Sequence, residues 1–119
     1  MAKVSNVGGP GLLSIPTIAL AEVRYGLEVM ADSKKKTRLL TSLSNLLATG
    51  IDTRPFSAQA AVVSAEVRAK LEAAGVPIDF PDSCIASVAI AENKTLASND
   101  TVFEDVKRVC GLRFERWEV

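Results

Sequence analysis

Three acidic side chains, Glu22, Asp82 and Asp100, stand at points where apolar segments of the chain give way to helices or loops. In an open parallel sheet, ligand sites lie beyond the carboxyl ends of the strands. Carboxylates without histidine or cysteine suit hard cations such as Mg²⁺ or Mn²⁺. Two such ions about 4 Å apart can activate water and stabilise a leaving oxygen in phosphodiester hydrolysis. The three positions therefore predict a metal site for that chemistry.

Each of the three carboxylates also has a purely structural explanation. Asp82 could cap the helix that it opens, a contribution of about 1 kcal/mol. Glu22 could be a first-turn residue favoured by the helix dipole. Asp100 could be a turn residue or the cap of the helix that follows. Spacing alone does not separate these explanations from a metal site.

Composition restricts the classes of function that are open to the chain. Its 119 residues suit a single domain. Lys and Arg number 14, as do Asp and Glu, so the chain is no general nucleic-acid binder. The absence of histidine excludes His-based acid–base chemistry, Ser-His triads and most zinc sites. Cys84 and Cys110 suit reduced core residues of a cytoplasmic protein, with a disulfide as the alternative. The apolar stretch 12–21 contains Pro16 and is too short to span a membrane.

Strand-like and helix-like segments alternate along the chain. Pro16 predicts that the first strand is an edge or bulged strand, and the nearly all-apolar helix 83–92 must be buried. We expect residues 1–11 to be a flexible leader without a strand, and 12–119 to form an α/β domain, a three-layer α/β/α sandwich with a largely parallel sheet. The predicted strands are 12–19, 51–56, 95–98 and 112–117, and the predicted helices are 20–30, 34–48, 57–74, 83–92 and 101–108.

Three segments carry a resemblance to VapC-like PIN domains, which extends over about residues 12–118. IPTIALAEVRYGLE (15–28) resembles the family's glutamate-bearing segment, and Glu22 matches that glutamate. GVPIDFPDSCIASVAIAENKTLASND (75–100) resembles the stretch in which Asp82 matches the central aspartate and Asp100 the last acidic position. GLRFERW (111–117) resembles the family's closing strand.

The resemblance implies a toxin of a toxin–antitoxin pair. Such a protein is a Mg²⁺-dependent (or Mn²⁺-dependent) endoribonuclease that cleaves RNA, is inhibited by a VapB-type antitoxin and is commonly a homodimer. It also implies that Glu22, Asp82 and Asp100 are catalytic metal ligands, directly or through water. Ser98 stands where the family often has threonine near the metal; it is either an accessory group or an ordinary strand-end hydroxyl.

The amino-terminal segment departs from the family pattern. The family opens with a central strand that ends in Asp-Thr-Asn or similar, whereas residues 1–11 contain no acidic residue and Val4 stands where the aspartate would be. We therefore expect the first strand and its aspartate to be missing and metal binding to be weakened. Three functions stay open: an active ribonuclease, a non-catalytic toxin that binds its antitoxin, and a shortened version of an active toxin.

The run of Lys34, Lys35, Lys36 and Arg38 is the densest basic segment. It could contact RNA, but a solvated helix start is the favoured explanation. Its position at the amino end of a helix is unfavourable for the helix dipole, which is unexpected for a purely structural choice.

Overall fold

The computed structural model describes the backbone of residues 3–7 and 13–116 and the side chains of residues 14–116. Within these ranges strands and helices alternate much as the sequence predicts. The strands are β1 (Lys3–Val7), β2 (Leu13–Pro16), β3 (Asp52–Arg54), β4 (Thr95–Ser98) and β5 (Phe114–Arg116). The helices are α1 (Thr17–Glu28), α2 (Lys34–Ala48), α3 (Ala58–Ala73), α4 (Phe80–Ala91) and α5 (Val102–Cys110).

The strands form one sheet in the order β3-β2-β1-β4-β5. β2 pairs parallel with β3, and β4 pairs parallel with β5, while β1 pairs antiparallel with both β2 and β4. Four of the described strands therefore point the same way, and β1 runs against them. The predicted α/β sandwich with a largely parallel sheet is confirmed.

The expectation of a flexible leader without a strand is wrong for residues 3–7, because they form β1 in the middle of the sheet. The gap between β2 and β4 would otherwise leave two rows of backbone N–H and C=O groups without partners. Only residues 8–12 separate β1 from β2. A parallel connection needs a crossover of about a dozen residues or more, so a link this short allows only an antiparallel pair. A strand therefore occupies the central position, antiparallel to both of its neighbours.

The sequence predicted from Pro16 that this strand would be an edge or bulged strand, but β2 does not lie at the edge of the sheet. β2 lies between β3 and β1, and Pro16 is its last residue and the residue that precedes α1. The missing N–H of proline matters little where a strand is ending, and its φ of −61° suits the turn into a helix. Position within the strand, rather than the presence of proline, decides its effect.

The core is built around α4, as its nearly continuous apolar sequence predicts. Every residue from Ser83 to Ala89 is buried, and Ile85, Ala86 and Ala89 pack in the main apolar cluster. Serines on this helix satisfy their hydroxyls locally: Ser83 Oγ donates to the Phe80 carbonyl at 2.7 Å and lies 2.9 Å from Ser64 Oγ on α3. Small, internally bonded side chains thus let α3 and α4 pack closely at little polar cost.

Candidate active site at the carboxyl edge of the sheet

The side of the sheet at which β2, β3, β4 and β5 end is called the carboxyl edge here. α1 starts directly after β2 ends, at this edge. α4 packs on β4 and is joined to it by the three residues 92–94, so the two elements run in opposite directions. The first turn of α4 therefore lies toward the end of β4. Because β1 is reversed, its first residue, Lys3, pairs with Ser98 at this same edge.

Asp100 lies two residues beyond β4 in a loop that is fixed by short-range hydrogen bonds. The buried Ser98 Oγ accepts a bond from the Asp100 backbone N–H at 3.0 Å. Asp100 Oδ1 in turn accepts from the Val102 N–H at 3.2 Å, at the start of α5. Asp100 therefore does perform the structural role considered for it, and Ser98 holds the backbone that carries it.

Asp82 does not cap its helix. α4 begins at Phe80 rather than at Ser83, and the residue that caps it is Asp79, whose Oδ1 accepts from the Asp82 N–H at 2.9 Å. Asp82 is half-buried in the first turn, where the helix dipole favours a carboxylate. The structural explanation offered for Asp82 from its sequence position thus belongs to Asp79.

Glu22 lies further from the edge than the sequence predicted. Because α1 starts at Thr17 and not at Leu20, Glu22 falls in its second turn, and no acidic residue occupies the first. The side chain is exposed. At 1.5 Å per residue, Glu22 sits about 8 Å along the helix from its start.

The three carboxylates do not converge as a group of three. Among the described side chains, residues 14–116, no cluster of three or more His, Cys, Asp or Glu residues could hold a metal ion. Chain topology directs Asp82 and Asp100 to the carboxyl edge, and Glu22 lies in the second turn of α1, which starts at that edge. Two carboxylates suffice for one Mg²⁺ when water and substrate phosphate complete its octahedron. The donor set therefore fits a weak, partly hydrated Mg²⁺ site.

The structure adds two residues that sequence reasoning did not connect with this edge. Asp79 supplies the cap of α4, which an Asp three residues before another acidic residue could have indicated. Arg116 ends β5 beside Ser98, and its Nη1 lies 3.5 Å from Glu104 Oε2. Glu104 is therefore engaged in an exposed ion pair across α5 and β5.

The two cysteines are excluded from the site chemistry. Both are free, with Cys84 buried and Cys110 half-buried, so the structure has no disulfide between them. Burial raises the pKa of the Cys84 thiol above its ordinary value and outweighs the opposing hydrogen bonds from Ser64 and Ser83. A protonated thiol is neither a good nucleophile nor a metal ligand.

A second surface feature is an open apolar groove of about 340 Å³ between α1 and α2. Some apolar side chains of this region are unusually exposed: Tyr25 on α1 and Val29, which follows α1, are 65% and 63% exposed, and Leu46 on α2 is 41% exposed. Over the ranges that the structure describes, no helix has the length and apolarity to cross a membrane. The residues that line the groove are Thr17, Leu20, Ala21, Arg24, Leu43 and Leu47.

Comparison with known proteins identifies the family. The chain matches the model of the PIN domain over residues 3–109. It is 37% identical over 106 residues to ribonuclease VapC2 of Rickettsia felis, covering 89% of this chain and 75% of that protein. It is 31% identical over 107 residues to the tRNA(fMet)-specific endonuclease VapC of Shigella flexneri, covering 90% of this chain and 76% of that protein.

A solved structure supports the same assignment. The crystal structure of VapBC2 from Rickettsia felis bound to a DNA fragment from their promoter matches the fold with a TM-score of 0.73 at 36% identity. The match covers 90% of this chain and 76% of that chain. The resemblance noted in the sequence is thereby confirmed, and the chain belongs to the PIN domain family.

Proposed function

We propose that this chain is a VapC-like toxin, a Mg²⁺- or Mn²⁺-dependent endoribonuclease. Asp82 and Asp100 hold the cation, and Glu22 contributes through water. The observation that carries the proposal is the delivery of Asp82 and Asp100 to one sheet edge by α4 and β4, within a PIN-family chain. The free cysteines suit a reducing compartment, and we place the protein in the cytoplasm.

The residues of the chain prepare this edge in three ways. Asp79 caps α4, so its first turn presents Asp82 in a fixed position. Ser98 bonds the backbone of Asp100 from a fully buried position. The amino end of α4 carries the positive end of the helix dipole, which favours an incoming phosphate. A bound Mg²⁺ supplies Lewis-acid activation of the phosphodiester and of water.

The test is cleavage of RNA by the purified chain. Initiator tRNA is the first substrate to try, because a relative is named as a tRNA(fMet)-specific endonuclease. We expect cleavage in Mg²⁺ or Mn²⁺ that stops with a chelator. Asp82→Asn should lower the rate by about 100-fold or more, because even outer-shell partners of metal ligands are worth about 10- to 100-fold.

Asp79→Asn is the matched control. Asparagine caps helices as well as aspartate does, so this variant removes a carboxylate three residues away and preserves α4. Its rate should stay within about threefold of wild type, less than the 10-fold minimum for an outer-shell partner. Metal-independent cleavage, or equal losses in the two variants, would contradict the proposed site.

A second candidate function is binding of a VapB-type antitoxin without catalysis. It is favoured by the lack, within residues 14–116, of a three-carboxylate cluster, and by the exposed groove between α1 and α2. The solved relative is a VapBC complex, and an amphipathic helix of an antitoxin would suit an apolar groove of this kind. A folded chain that binds antitoxin but leaves RNA intact in Mn²⁺ would establish this function in place of the first.

Assembly with a second copy competes for the same surface. Homodimers bury self-complementary apolar patches, and the exposed side chains around the groove offer one. Light scattering of the chain alone and with antitoxin separates the two occupants. If the second copy occupies the groove, antitoxin binding should dissociate the homodimer. We expect instead that the antitoxin binds the groove and that the homodimer, formed through another surface, survives.

A further inference from the structure

We propose that Phe80, supported by Phe56 and Arg68, is a stacking platform for a base of single-stranded RNA beside the candidate active site. The inference deepens the proposed ribonuclease function and rests on it for the identity of the ligand. It concerns substrate binding, whereas the carboxylates concern cleavage.

The exposure of Phe80 is the first observation. It is 53% exposed although it opens α4, whose residues 83–89 are all buried. Burial of a phenylalanine side chain stabilises a fold, so leaving Phe80 in water forgoes a contribution that the adjacent core could provide. A large aromatic ring that is exposed beside a candidate active site is available to contact a ligand.

The second observation is that the ring is held from two sides. Phe56, which follows β3, forms a T-shaped pair with it, with ring centroids 6.4 Å apart and an interplanar angle of 84°. The guanidinium of Arg68 on α3 lies 5.6 Å from its centroid. Edge-to-face pairing and cation–π contact both fix ring orientation. The ring is therefore a preorganised surface rather than a loose side chain.

Charge and position favour a nucleic acid as the occupant. Arg68 places a cation at the ring, and aromatic rings combined with arginine are the usual surface for single-stranded RNA. Phe80 and Asp82 lie in one helical turn, on different sides of the start of α4. A strand whose phosphate reaches Asp82 can place a neighbouring base on Phe80. The nearby carboxylates of Asp79 and Asp82 repel phosphate, so binding should strengthen when Mg²⁺ neutralises them.

The experiment compares two labelled 12-mers of equal charge, an oligoadenylate and an abasic ribose-phosphate chain. Fluorescence anisotropy is measured in chelator, so that metal-dependent cleavage cannot occur. Stacking on one aromatic side chain is worth at least about fivefold in affinity. We expect wild type to prefer the oligoadenylate by that factor, Phe80→Leu to lose the preference, and Phe80→Trp to keep it.

Tyr25→Leu is the matched control, since Tyr25 on α1 is an aromatic residue that is even more exposed (65%) than Phe80. It should leave the base preference unchanged. A preference retained by Phe80→Leu, or absent in wild type, overturns the platform even if the protein cleaves RNA in Mg²⁺. A preference that depends on Phe80 in a protein that does not cleave supports the platform and overturns the nuclease proposal alone.

Discussion

Helices α2 and α4 show how differently two parts of this chain use apolar residues. α4 has 12 residues and buries Ser83–Ala89 without interruption, whereas α2 has 15 residues and buries none. Both are rich in apolar side chains, but those of α2 form one stripe and those of α4 surround the helix. α4 is therefore a core element, and α2 lies against the protein with its leucines partly in water.

The difference reflects two ways in which apolar side chains of a helix can be buried. A helix that is apolar on all sides can be buried only inside the domain. A helix with a single apolar stripe can bury it inside the domain or against another chain. In α2 the domain leaves Leu46 and Leu47 41% and 38% exposed, so the domain itself does not use all of the stabilisation that burial of this stripe can provide.

Truncation of a core side chain in α4 gives the largest expected effect. Ile85 is fully buried in the main cluster, and Ile85→Ala should lower the free energy of unfolding by about 2–5 kcal/mol. Leu46→Ala in α2 removes the same class of group from a half-exposed site and should cost less than about 1 kcal/mol. Urea denaturation of both variants measures the contrast. Similar losses would mean that α2 is buried in solution.

Substitutions in the groove between α1 and α2 should give the next largest effect, on affinity for the antitoxin and not on the stability of the fold. Leu43→Ser combined with Leu47→Ser changes two side chains that line the groove. We expect affinity for a VapB-type antitoxin to fall by about 10- to 100-fold, as it does when central apolar contacts are lost. Val62→Ser, at a 62% exposed position on α3, is the control and should bind normally. Unchanged binding by the double variant would place the antitoxin elsewhere.

Much of the fold could be predicted because its signals are local. Serine caps and glycine stops mark the helices: Ser57 Oγ accepts from the Ala60 N–H at 3.1 Å, and Gly75 has a φ of +79°. Such positions depend on a few neighbouring residues. The all-apolar sequence of α4 likewise predicts burial whatever surrounds it.

The presence of β1 in the middle of the sheet could not be predicted, because it depends on a gap elsewhere in the sheet; its direction follows from the short link 8–12. Nothing within Lys3–Val7 indicates that β2 and β4 leave a space between them. The same holds for the candidate site. The order of strands and helices along the sequence indicates that Asp82 and Asp100 lie at the carboxyl edge of the sheet. The position of Glu22 relative to that edge depends on the residue at which α1 starts. A shift of three residues in a helix start moves a side chain by almost a full turn.

The contacts of Lys36 explain why a basic residue lies at the amino end of α2. Its Nζ donates to the carbonyls of Glu28 at 3.2 Å and Met30 at 3.1 Å, at the end of α1. A cation poorly placed for α2 is thus well placed for the dipole of α1. Lys36→Met keeps the aliphatic stem and should cost about 1–2 kcal/mol in urea denaturation.

Lys35→Met is the control for that prediction, because Lys35 is exposed. It removes the same charge from the adjacent position and should change stability by less than about 0.5 kcal/mol. Equal losses would show that net charge, and not the contact with α1, accounts for the effect.

The smallest effect tests whether α2 and the packed helices unfold together. Ser33 and Ser57 make the same capping bond, each accepting from the N–H three residues on at 3.1 Å. Loss of either cap costs about 1 kcal/mol. In Ser57→Ala the loss should lower global stability, because α3 packs on α4. In Ser33→Ala the loss should instead raise the hydrogen-exchange rate of α2 amides by about fivefold, with little change in global stability, because an unburied helix can open locally.

Ser33→Asn is the control, because asparagine preserves the cap, and its α2 amides should exchange at the wild-type rate. A global loss in Ser33→Ala would mean that α2 is as much part of the cooperative core as α4.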